Sequence, residues 1–108
     1  MEFSQLSDRA LHIRQCFVAY EQRRTGRVWT REEIMQGFVV DVGDLMKLTM
    51  AKAGVRHVDD VDRKLAHELS DCLWSVLVLA KLHDIDLEKE FLKTMDELER
   101  GTAKNAGY

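Results

Sequence analysis

Residues 68–80 read Glu68-Leu69-Ser70-Asp71-Cys72-Leu73-Trp74-Ser75-Val76-Leu77-Val78-Leu79-Ala80, and this stretch decides the fold. From Cys72 to Leu82 apolar side chains occupy most sides of a helix, the pattern of a central helix wrapped by others. The same helix carries two acids three residues apart, Glu68 and Asp71, between Leu65, Leu69 and Cys72. Working outward, its start falls at the acidic run Asp59-Asp60-Val61-Asp62, favoured at a positive helix N-terminus, and its end near His83.

Three more helices flank it. The first spans Ser4 to about Gln22, with Phe3, Leu6, Ala10, Ile13, Phe17 and Tyr20 as one apolar stripe. The second opens at Thr30, where Thr30-Arg31-Glu32-Glu33 fits a capping box, and runs to about Ala53, with Gly54 as its stop and Val55 to Asp59 as a loop. The fourth spans Leu87 to Arg100, capped by Asp86, with Leu87, Phe91, Met95 and Leu98 turned inward and Gly101 as its end. Thr102 to Tyr108 reads as a frayed tail. The expectation is one all-α domain over 1–108, bundle-like, with a flexible tail over 101–108.

Composition supports this. The 108 residues include no proline and six glycines, so little interrupts long helices. A net charge of −3 argues against a partner read through its phosphate backbone, so no nucleic acid is expected. The longest apolar run, Val76 to Ala80, is too short for a bilayer, and Met1-Glu2-Phe3-Ser4 lacks an export pattern, so a cytoplasmic protein away from membranes is expected. Cys16 and Cys72 lie in apolar helical patterns without metal-ligand spacing, which predicts two buried, reduced thiols. Val40, Met46 and Met50 exceed what a single bundle can cover, so a homodimer or homotetramer is expected.

The acids carry the chemistry. On the second helix the stripe Ile34, Phe38, Asp41, Leu45, Leu48 puts an aspartate in a core-facing slot, and Asp44 follows three residues on. One such pair is commonplace on a solvated helix face. Two pairs on the two most apolar helices would crowd four like charges, which is costly unless they are neutralised, protonated or bound to a cation. Lys47 and Lys64 are the nearby cations on the same faces and cannot neutralise four carboxylates. An all-oxygen set of Asp41, Asp44, Glu68 and Asp71 suits Mg²⁺, with Mn²⁺ able to substitute. Trp29 and Trp74 are candidates to stack on a base, with Trp74 read first as core, and Lys47 is a further candidate substrate contact.

These residues also carry a resemblance. Val40-Asp41-Val42-Gly43-Asp44-Leu45 looks like the EExxE motif of the MazG-like nucleotide pyrophosphohydrolases, and Glu68-Leu69-Ser70-Asp71 looks like their later ExxD motif. The likeness spans roughly Trp29 to Leu98. It implies a helical, oligomeric, magnesium-dependent enzyme that splits nucleoside triphosphates into monophosphate and pyrophosphate, in a housekeeping role. It implies Asp41, Asp44, Glu68 and Asp71 as metal ligands, Asp41 and Glu68 as catalytic acids, and Lys93 as a phosphate contact. Three positions depart from the family pattern: Val40 replaces the first Glu, both remaining acids of that motif are Asp, and Ser75 stands where relatives often have an aromatic. Two alternatives remain open. One is a non-catalytic metal- or nucleotide-binding helical module. The other is a hydrolase of another phosphorylated nucleotide such as phosphoribosyl-ATP.

Overall fold

The computed structural model describes residues 1–105, with side chains through Thr102, and contains four helices and no strand among them. They are α1 (Phe3–Arg24), α2 (Arg31–Lys52), α3 (Val61–Leu82) and α4 (Leu87–Asn105). None is long and apolar enough to cross a membrane.

Local chemistry sets the helix ends. At α2 the Glu33 amide donates to Thr30 Oγ1 at 3.2 Å and the Thr30 amide donates to Glu33 Oε1 at 3.1 Å, so two otherwise free donors are satisfied reciprocally. Its far end closes through Gly54, whose φ of +79° belongs to the left-handed region and lets the Val55 amide reach back to the Met50 carbonyl. At α4 the Asp86 carboxylate accepts from the Lys89 amide at 3.2 Å.

The central position expected for the 68–80 stretch is observed. α3 packs along both α2 and α1 and contributes Leu77, Val78 and Ala80 to the core. Ile34 and Leu48 are the buried ends of the α2 stripe, and Ala10 comes from α1. Among the described residues Val78 alone is fully buried.

Four expectations about the helices are corrected. α1 is turned relative to its apolar stripe: Ser7 and Ala10 are its buried residues, whereas Phe17 and Tyr20 are about half exposed. The rotation lets Ser7 and Ala10, both small, bring the α1 backbone close to α3. α4 does not turn its whole stripe inward. Leu87 packs on the core cluster and Leu98 is half-buried, while Phe91 is 54% and Met95 38% exposed, because the helix meets the others chiefly at its first turn. Gly101 does not end α4, which continues to Asn105. A lone glycine costs a helix only about 1 kcal/mol, and Thr102 Oγ1 donates back to the Leu98 carbonyl at 2.9 Å. Residues 106–108 of the expected tail lie outside the described residues. Finally, Cys16 is exposed on α1, its Sγ 3.7 Å from His12 Nε2, and Cys72 is half-buried.

The chain alone is loosely gathered. Its radius of gyration is 17.2 Å, against about 13 Å for a compact domain of this length. Met35, Val39, Val42, Met46 and Met50 form a second apolar stripe on α2, on its exposed side. The few core residues must therefore contribute most of the tertiary stability. Leu77→Ala should lower the unfolding free energy by about 2–5 kcal/mol, measured by urea denaturation. A loss below the measurement error would mean that the α1–α3 contact is not structural.

Candidate functional site

Asp41 and Asp44 are half-buried on α2, flanked along the helix by the buried Ile34 and Leu48. Glu68 faces them from α3. One carboxylate oxygen from each of the three lies within 4.8 Å of the others. None has an ion-pair partner among the described residues. Glu68 Oε1 is buried without any hydrogen-bond partner. Burial pushes the Glu68 carboxyl above the usual carboxylate range, and Asp41, Asp71 and Asp44 push it further the same way. Burial also raises the neighbouring Cys72 thiol, helped by Asp41, Glu68 and Asp71, which leaves it protonated and unreactive.

Asp71, the fourth expected ligand, does not join the trio. It lies one turn further along α3, where its carboxylate meets His67 Nε2 at 3.2 Å and lines a shallow recess with Ile13, Phe17 and Trp74. It acts on Glu68 through charge, not through shared geometry. The structure thus assembles three of the four expected acids.

On one side of the trio opens an apolar cavity of about 440 Å³. Its wall includes three aromatic rings, Phe17 from α1, Trp29 from the α1–α2 connection and Trp74 from α3, with Val40 and Asp41 at the α2 edge. Trp74 is held as the core reading expected. Its ring sits edge-on to Phe17 at 5.9 Å between centroids, and its Nε1 donates to the Ala10 carbonyl at 3.2 Å. Trp29 is clamped through its backbone: the Arg14 guanidinium donates to its carbonyl, and its amide donates to the Glu21 carboxylate at 3.0 Å. Gly37 makes room for the Trp29 ring, since a Cβ there would come within 3.1 Å of it.

Val40, at the position of the absent motif acid, is 63% exposed and lines this cavity. Ser75 is buried in its wall. Lys47 lines a second cavity on the opposite side, together with Asp44 and Glu68. Lys93 stands exposed on α4 and borders neither cavity. Sequence reading missed Arg14, Glu21, Gly37 and the site role of Phe17. Their common signal was weak: Phe17 belonged to an ordinary apolar stripe, and the clamp on Trp29 spans fifteen residues.

The raised Glu68 carboxyl has a consequence for stability. The native state holds that proton more tightly than the unfolded chain, whose glutamate titrates near 4.5. The wild-type protein without divalent cations therefore loses stability as pH rises from 4.5 through the elevated native value. Glu68→Gln removes the charge while keeping the shape, so its melting temperature without divalent cations should exceed that of wild type at pH 7.5. The gap should close near pH 4, as followed by differential scanning fluorimetry in EDTA. A variant that melts lower than wild type at both pH values would rule out carboxylate crowding. In comparisons with protein-family models, curated proteins and solved structures, this chain matches none, so the functional reading stands on the geometry of its own residues.

Proposed function

We propose that this chain is a magnesium-dependent nucleoside triphosphate pyrophosphohydrolase. The observation that carries the reading is the trio Asp41, Asp44 and Glu68, without ion-pair partners among the described residues and with an orphaned buried oxygen on Glu68, whose Asp41 borders an apolar cavity that Phe17, Trp29 and Trp74 line. The resemblance of the two acidic motifs to the MazG-like enzymes supports it.

The donor set fits a hard divalent cation. Three carboxylates supply only oxygen ligands, and Glu68 Oε1 lacks any other partner. Asp41, Asp44 and Glu68 would hold Mg²⁺, with Asp71 adding charge from one turn away. When bound, the ion offsets the acids and polarises phosphate oxygens. The chain's own residues do the rest. Trp29 and Phe17 line the cavity and would stack on a base there, in a volume within the usual range of about 300–1,000 Å³ for small-molecule sites. The low polarity of that cavity excludes water from the base. Asp41 borders both cavity and trio, which suits it to take a proton from the attacking water. Water oxygen bonds to the α-phosphorus, the α–β anhydride bond breaks, and pyrophosphate leaves with the electron pair. The products are a nucleoside monophosphate, pyrophosphate and the proton passed to Asp41.

A second reading draws on Val40. With an apolar side chain at the first motif position, the site has one acid fewer to orient water, which favours a module that binds nucleotide and metal without turnover. Both readings share the site and differ in rate. The protein is incubated with Mg²⁺ and a panel of ribo- and deoxynucleoside triphosphates plus phosphoribosyl-ATP, and the released phosphates are identified. Pyrophosphate release that EDTA abolishes, and that Glu68→Gln lowers at least about a hundredfold, about 2.7 kcal/mol of transition-state stabilisation, is the expected result. Stoichiometric Mn²⁺ binding with no release from any nucleotide would replace the enzyme reading with the binding one.

We also propose that the exposed α2 stripe Met35, Val39, Val42, Met46 and Met50 is covered by a second copy of the chain, a reading that the loose packing of one copy supports. Met46 is 64% exposed, so a charge there costs the single chain little. Met46→Glu should convert a dimer or tetramer to a smaller species in sedimentation, with helicity retained. A wild-type protein that sediments as a monomer would remove this proposal.

A further inference from the structure

The second cavity beside the acids differs from the aromatic one in its charged side chains, which stand around apolar surface from Leu48 and Val58. It measures about 280 Å³ and lies between the end of α2, the α2–α3 loop and the first turns of α3. Lys47, Arg56, Arg63, Lys64 and His67 line it, and it shares Asp44 and Glu68 with the carboxylate trio.

The charges around it are sorted. Every acid at the entrance to α3 has a cationic or imidazole partner: Asp59 with His57 at 2.7 Å, Asp60 with Arg63, and Asp62 with Lys52 at 2.6 Å. Lys47, Arg56 and Lys64 have no ion-pair partner among the described residues. They also do not collapse onto Asp44 and Glu68, although they border the same space. Three uncommitted cations thus face unpaired acids across a gap. A multiply charged anion accompanied by a divalent cation satisfies both sets at once, because the cation sits on the acids while the anion's outer oxygens meet the lysines and the arginine.

We propose that this cavity binds the diphosphate end of the substrate and retains it as the pyrophosphate product. The inference rests on the pyrophosphohydrolase reading for the identity of the substrate, but the anion site itself can be tested without turnover. It also orients the ligand: base against Trp29 and Phe17, the α-phosphate at the trio, the outer phosphates toward Lys47, Arg56 and Lys64. Arg63 is engaged by Asp60 and serves the site only as background charge.

The test is calorimetric titration of the full chain with inorganic pyrophosphate in excess Mg²⁺, and separately with a nucleoside monophosphate. Arg56→Ala and Lys64→Ala remove exposed side chains outside the core, and Arg100→Ala on α4 removes an equal charge elsewhere. Wild type binds pyrophosphate at one site. Each of Arg56→Ala and Lys64→Ala weakens it about tenfold. Monophosphate affinity and the Arg100→Ala control stay at wild-type values. Arg56→Lys restores part of the loss. Three results would each overturn the proposal: no pyrophosphate binding to the folded wild type, wild-type affinity retained in both pocket variants, or an equal loss in the Arg100→Ala control. Failure of the hydrolase reading shows separately, as absent turnover, and leaves the calorimetric outcome decisive for the anion site.

Discussion

Everything in this structure turns on keeping carboxylates where apolar packing has put them. Asp41, Asp44 and Glu68 occupy the seam between α2 and α3, with Ile34 and Leu48 buried on the same α2 face and Leu77 and Val78 buried further along α3. Water cannot fully solvate Glu68 Oε1 there, and no cation among the described residues pairs with the three acids. The helix pair can hold these acids because its buried contacts elsewhere are apolar, so the seam does not open to relieve the repulsion.

The third packing partner gives the seam its two unlike sides. α1 lies against α3 and supplies Phe17, Arg14 and Glu21. Arg14 and Glu21 both act on the backbone of Trp29, which pins the α1–α2 connection and holds an indole at the cavity mouth. On the other side the α2–α3 loop brings Arg56 beside Lys47 and Lys64. An apolar cavity and a cationic one therefore meet at a common acidic line, an arrangement complementary to a molecule with a flat apolar end and a polyanionic end.

How much of this was legible beforehand follows from the range of the forces involved. Thr30, Gly54 and Asp86 announced helix ends because caps act within three or four residues. The acids stood out because their spacing placed them on apolar helix faces. The Gly101 stop failed because a weak local penalty was set against a helix that continues through it. The inward turn of Phe91 and Met95 failed because amphipathicity tells which side of a helix is apolar, not whether that side meets anything. Cys16 failed for the same reason on α1.

The sequence by itself determined four helices, their approximate ends, the central place of α3 and the placement of two acidic pairs on apolar faces. These follow from hydrogen bonding and periodicity along a single helix. Only the tertiary structure decided that Asp41, Asp44 and Glu68 meet while Asp71 stays apart from them, that Gly37 gives way to the Trp29 ring, and that Lys47, Arg56 and Lys64 gather beyond the acids. The physical reason is that these contacts depend on the rotation and register of one helix against another. Those quantities are set by the summed packing of small residues such as Ser7 and Ala10 across the interface, and no local pattern encodes them.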